Sequence, residues 1–226
     1  MKKILMVVTS HDSLGNTGKK TGIWLSEFTE PYFGFLDNNV EIVIASPKGG
    51  TTPIDPNSLK EEALNESTNR YLNLENKVLE HTVSLEKINF QEFDGIFYPG
   101  GHGPMWDLSE DEKNAELVSN FYNSGKIVAA VCHGPAALIK GKKASGESLL
   151  KNKKVTGFSN LEEKAVNLEK VVPFLLEDKL TELSNNHYEK TDVLFAPYII
   201  QDGFLLTGQN PASALPLVEK FLELLK

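Results

Sequence analysis

The sequence predicts an α/β fold: a mostly parallel sheet with helices on both faces. Three observations carry this. Short apolar runs of the kind buried on both faces recur along the chain, at Lys3–Thr9, Val40–Ala45, Phe93–Tyr98 and Lys126–Val131. Segments with helical spacing separate most of them, and such alternation builds a parallel sheet. The fourth run ends at Cys132, followed by His133, Gly134 and Pro135. A strand that stops in a sharp turn and enters a helix is a nucleophile elbow, here with a thiol at its tip.

The elements follow in order. Lys3–Thr9 is a strand, too short an apolar run for a signal peptide. A polar loop, 11–21, leads to a helix over Gly22–Leu36, with apolar spacing at Ile23, Phe28, Tyr32 and Phe35; Pro31 marks a first-turn start or a kink. Residues 49–89 break the alternation. They are polar, carry Pro53 and Pro56, and hold a weak helix over Ser58–Leu72; they read as an excursion that either covers the site or decorates the surface. Ser109 with Glu112 forms a capping box for a helix to Asn123. The acidic group Asp107, Glu110, Asp111 and Glu112 suits that helix's N-terminal dipole. Val155–Phe158 is short and extended, and 160–170 and 173–184 are helical. Residues 198–200 and 204–207 form a hairpin around Asp202-Gly203. Asn210-Pro211 opens the last helix, to Leu225. The chain reads as one domain over 1–226.

Composition narrows the function. The chain has 226 residues, 40% hydrophobic and 24% charged, as in a water-soluble globular protein. A net charge of −8 argues against nucleic acid and anionic membrane as partners. No stretch approaches the ~18 apolar residues of a membrane span. A single cysteine excludes an internal disulfide and suggests a reducing, cytoplasmic setting.

In a parallel sheet the site lies at the carboxyl ends of the strands. The elbow, the turn Gly100-Gly101-His102-Gly103 and the loop after Thr9 all fall there. Cys132 is either a small core residue or a reactive thiol; the elbow favours the thiol, with a lowered pKa from the helix that follows it. Ala130 and Gly134 are small because strand and helix pass closely. His133 reaches the sulfur only if the turn folds it back. Glu27 sits among Ile23, Trp24, Leu25 and Phe28, and a carboxyl there needs a partner; either it hydrogen-bonds the Cys132 sulfur or it faces solvent. Gly101 and its neighbours offer backbone N–H groups to an anion. His11, His102 and His187 match no common zinc spacing, so no metal or other cofactor is expected.

The segments Ala130–Pro135, Tyr98–Gly103, Gly22–Pro31, Thr156–Asn160 and Leu206–Ser213 together resemble the ThiJ/PfpI branch of the class I glutamine-amidotransferase-like superfamily. They are most similar to its heat-shock-type group of glutathione-independent glyoxalases, also called glyoxalase III. The resemblance implies a flavodoxin-like sandwich centred on Cys132, with Glu27 as the thiol's acidic partner. It implies an acid that orients His133, at the matching position Glu163 or at adjacent Glu162. Gly101 and His133 N–H groups would form the oxyanion site, with His102 and Gly134 beside it in substrate binding. His187 and Glu189 are incidental. The implied activity converts methylglyoxal or a similar 2-oxoaldehyde to a 2-hydroxy acid, in a homodimer. A cysteine amidase or peptidase, and a stress chaperone or redox sensor, are the alternatives.

Overall fold

The computed structural model describes residues 1–226, and all seven of its strands join one sheet. In chain order the elements are β1 (Lys3–Val7), α1 (Leu25–Asp37), β2 (Glu41–Ser46), α2 (Glu66–Leu72), β3 (Val83–Ser84), β4 (Gly95–Tyr98), α3 (Glu112–Asn123), β5 (Ile127–Val131), α4 (Asn160–Ala165), α5 (Leu176–Leu183), β6 (Ile199–Asp202), β7 (Leu205–Gly208) and α6 (Ala214–Leu225). The strand order is β3-β2-β1-β4-β5-β7-β6. Every neighbouring pair is parallel except the β6–β7 hairpin. This is the mostly parallel sheet that the apolar runs predict, in the flavodoxin-like arrangement that the family resemblance implies.

Adjacent residues of a strand point to opposite faces, and β4 shows what covers each. The Phe97 ring meets Phe35 of α1 and Phe221 of α6. The next residue, Tyr98, donates its hydroxyl to Asn114 of α3 at 2.8 Å. Helices therefore lie on both faces. β1, β4 and β5 are buried almost without interruption, which is why they read as continuous apolar runs.

Several boundaries differ from the sequence reading. α1 starts at Leu25, because Gly22 and Ile23 are extended and Ile23 bridges to Ile54; Pro31 lies inside the helix rather than at its start. α3 starts at Glu112, capped by Asp111, whose side chain accepts from the Asn114 N–H; Ser109 instead donates to the Met105 carbonyl. Asp107 is not a helix-dipole residue. It accepts from the Thr9 hydroxyl and the Ser10 N–H, tying the loop after β1 to the loop after β4. Val155 makes only an isolated bridge to Tyr188, and α4 and α5 are shorter than the spacing suggests. Asn210-Pro211 opens a single 3-10 turn ahead of α6. Residues 49–89 do more than decorate the surface: they supply β3 at the sheet edge, α2 against α1, and part of the site wall.

Candidate active site

Cys132 leaves β5 with a φ of 60°, a left-handed conformation that costs a residue with a Cβ roughly 1–2 kcal/mol. Its neighbours hold it there. Its N–H donates to the carbonyl of Gly208, the last residue of β7, and its carbonyl accepts from the Phe158 N–H, both at 2.9 Å. Gly134 is required for a second reason: a Cβ there would sit 2.3 Å from the Tyr98 carbonyl oxygen. The elbow is thus a strained turn locked between β4, β7 and the segment before α4. After it the chain forms only a 3-10 turn, Gly134–Leu138. The long helix dipole expected to favour a thiolate is not there.

That turn folds His133 back over its neighbour. His133 Nδ1 lies 3.4 Å from the Cys132 sulfur, and its Nε2 lies 2.7 Å from Glu163 Oε2. Both side chains are buried. With Glu163 accepting at Nε2, the bare nitrogen faces the thiol, so His133 is placed to take the thiol's proton. The doubt about a chain neighbour as partner is resolved by the positive φ at Cys132. Glu163, not Glu162, is the residue that meets the histidine. Glu162 instead closes a capping box with Ser159 and accepts from Gln209 and Asn210, which fixes α4 against the end of β7.

Glu27 arrives from the first turn of α1 and is fully buried. One carboxyl oxygen accepts from the Gly100 N–H at 3.0 Å; the other, Oε1, has no hydrogen-bond partner. No bond of ordinary hydrogen-bond geometry joins Oε1 to the sulfur, but the carboxyl and the Cys132 thiol share a cavity wall and lie close enough for a side-chain interaction that shifts both groups. Burial pushes the Glu27 carboxyl up to about 8, against the opposing pull of the Cys132 thiol and the Gly100 N–H. Glu27 holds its proton at neutral pH.

The expectation of a low-pKa thiol is overturned. Burial raises the Cys132 thiol well above its ordinary value, and negative charge on Glu27 raises it further; the Gly101 N–H works in the other direction. At rest the sulfur is a neutral thiol. Burial, with the His102 ring beside it, lowers His133 to about 4. Burial also opposes ionisation of Glu163, but His133 and His102 outweigh it and hold that carboxyl well below the usual range. A neutral imidazole backed by a carboxylate is the form a general base needs.

Gly101, with a φ of 85°, lies in the turn after β4, where a Cβ would sit 2.3 Å from the Gly22 carbonyl oxygen. Its N–H and that of His133 have no backbone acceptor, and the Gly101 N–H is close enough to the Cys132 sulfur to favour its thiolate. Gly134 is buried beneath the elbow and contributes space rather than a contact. His102 is not a surface histidine. It is buried, its Nε2 lies 2.9 Å from Glu163 Oε1, and its ring sits 4.0 Å from that of His133. The other two histidines considered for metal lie elsewhere: His11 stacks on Trp106, and His187 bonds Ser184. Glu189 pairs with Lys154.

Glu27, Gly101, His102, Cys132 and His133 line one cavity of about 540 Å³, with Trp24, Phe158 and Phe195 among its walls. Asn57, Lys60, Glu62 and Ala63, all from the 49–89 excursion, close one side. Sequence reasoning did not find Phe158 or Phe195. Each stands in an irregular segment, where no periodicity assigns a side chain to a face.

A thiol elbow at the carboxyl edge of a mostly parallel sheet, with a histidine and two buried carboxyl groups converging on it, defines a class. The chain belongs to the DJ-1/PfpI family, whose profile matches residues 21–224. Among curated proteins it is 29% identical to the glutathione-independent glyoxalase HSP31 of Saccharomyces cerevisiae, over 100% of this chain and 98% of that one. Among solved structures, the Rapid Encystment Protein 24 KDa (REP24) of Francisella tularensis superposes with a TM-score of 0.94 at 41% identity, covering 100% of both chains. Glyoxalase III of Candida albicans superposes with a TM-score of 0.90 at 27% identity, covering 98% of this chain and 96% of that one. No helix is long and apolar enough to cross a membrane.

Proposed function

We propose that this protein is a glutathione-independent glyoxalase that converts methylglyoxal, or a similar small 2-oxoaldehyde, to the 2-hydroxy acid. The observation that carries the proposal is Glu27: a buried, protonated carboxyl group with one unpartnered oxygen, in the same cavity as the thiol. An acyl-transfer triad has no use for such a group, whereas an internal proton shift between adjacent carbons needs one that gives and takes a proton. The names of the relatives support the same reading.

The chemistry follows from the protonation states. The Cys132 sulfur adds to the aldehyde carbon while its proton passes to His133 Nδ1. Glu27 gives its proton to the aldehyde oxygen, producing a hemithioacetal with the ketone still in place; the Gly101 and His133 N–H groups steady the developing oxyanion. Glu27, now a carboxylate, removes hydrogen from the former aldehyde carbon as His133 protonates the ketone oxygen, giving an enediol. Glu27 returns its proton to the second carbon, and His133 takes the proton of the first carbon's hydroxyl, leaving a thioester. Water cleaves the thioester; His133 reprotonates the sulfur and the water's proton restores Glu27. Glu163 stays ionised throughout and holds the imidazole. His102 shapes the wall beside the reacting carbon, and Gly134 lets the elbow pack closely beneath it. The aldehyde carbon is oxidised as the ketone carbon is reduced, so no external oxidant or reductant is needed, and the sulfur takes the place that glutathione would otherwise fill. The reading includes a homodimer, a cytoplasmic location that keeps the thiol reduced, and a role in carbonyl-stress defence.

A second reading, cysteine amidase or peptidase chemistry, is supported by the line from the sulfur through His133 to Glu163. Variant rates separate the two. In single turnovers with methylglyoxal, Glu27→Gln is expected to lose more than His133→Ala, since this reading gives Glu27 the transfer of the carbon-bound hydrogen. A larger loss at His133, with amide cleavage by the wild type, would favour hydrolysis instead.

A further inference from the structure

Glu163 has two histidine partners, and the proposed reaction uses one. Its Oε2 accepts from His133 and its Oε1 from His102, at 2.7 and 2.9 Å. One ligand-capable atom from each of His102, His133 and Glu163 lies within 4.8 Å of the other two. All three side chains are buried. They come from the turn after β4, the elbow after β5 and α4, so the sheet and a helix hold them independently of one another. Two imidazole nitrogens and a carboxylate are a donor set suited to borderline divalent ions. The Cys132 sulfur lies on the far side of the His133 ring, against Nδ1, and does not join the group.

We propose that His102, His133 and Glu163 form a binding site for a divalent transition-metal ion, with Zn²⁺ its representative, and that occupancy switches the enzyme off. Zinc at about 2.0–2.2 Å from each ligand atom spaces those atoms roughly 3.3 Å apart, so the cluster closes by at most about 1.5 Å. The ion replaces both histidine-to-carboxylate hydrogen bonds. Each imidazole binds through Nε2 and carries its proton on Nδ1 instead, so the cluster's charge changes from −1 to +1 without redox chemistry. His133 Nδ1–H then faces the sulfur and has no lone pair for the thiol's proton. The metal binding stands on the geometry alone; the inhibition rests on the proposed function.

The test is calorimetric titration of the full chain with ZnCl₂, with CoCl₂ as a spectroscopic probe. One ion per chain is expected, with the intense visible bands of low-coordinate Co²⁺. His102→Gln is expected to weaken Zn²⁺ binding roughly tenfold or more, because a lost ligand costs at least as much as a lost outer-shell partner. Cys132→Ser is expected to leave it unchanged. Where His102→Gln fails to fold by circular dichroism, Glu163→Gln serves the same purpose. Absence of saturable binding, binding indifferent to both substitutions, or binding lost with Cys132 would each overturn the site. An inactive wild type that still binds zinc through His102 would fault the glyoxalase reading and leave the metal site standing.

Discussion

At the scale of single residues, Glu27 is the most exacting feature of the site. Its folded pKa, about 8, lies far above that of an unfolded glutamate. A group raised in this way adds stability that is fully present below its unfolded pKa and is lost as pH rises through its folded one. Wild-type stability should therefore fall between about pH 4.5 and 8 on account of this residue. Glu27→Gln keeps the shape and removes the ionisation. It should melt several degrees above wild type at pH 9, with the gap closing toward pH 5; thermal melts across that range measure it. Equal gaps at both ends would mean that Glu27 is not a buried acid. The sequence marked this residue through its apolar neighbours. It did not reveal that the sulfur also reaches His133, because that depends on a φ of 60° at Cys132. Nor did it reveal His102 beside Glu163, since 61 residues separate the two and only the packed loops bring them together.

At the scale of elements, the elbow is where strand packing becomes chemistry. β5 is held between β4 and β7, and the turn after it passes so close to the Tyr98 carbonyl that only glycine fits at 134. Gly134→Ala must push the turn off β4. We expect it to cost about 1–3 kcal/mol in stability, as overpacking does, and to lower turnover by displacing the sulfur. Chemical denaturation and a rate measurement would show both; an unchanged rate would mean that the sulfur's position is not set by this contact. The strands were legible in sequence because those buried on both faces leave unbroken apolar runs. Helix starts were less so. Ser109 with Glu112 imitates a capping box, yet Asp111 caps α3, because the chain from Gly103 to Ser109 is committed to turns that anchor on Thr9 and Met105. The short 3-10 turn after the elbow was equally hidden, since Ala136–Ile139 has the composition of an ordinary helix.

At the scale of the molecule, the excursion over 49–89 completes the cavity. The sheet alone would leave the sulfur's surroundings open; Asn57, Lys60, Glu62 and Ala63 wall them in. Shielding of this kind strengthens every electrostatic interaction at the site and is what keeps the Glu27 carboxyl neutral. Its polar composition and two prolines gave it no period to read, so its place in the fold was not legible. The homodimer expected from the family resemblance is checked by light scattering at micromolar concentration: a mass near twice the 25.0 kDa chain is expected, and one near 25.0 kDa would refute it. The central claim is that the protein's own thiol does what glutathione does elsewhere. Its most direct test is lactate production from methylglyoxal by purified protein in buffer free of glutathione and other thiols, beside Cys132→Ala. The account predicts sustained lactate formation by the wild type and none above background from the variant; lactate formed equally by both, or by neither, would contradict it.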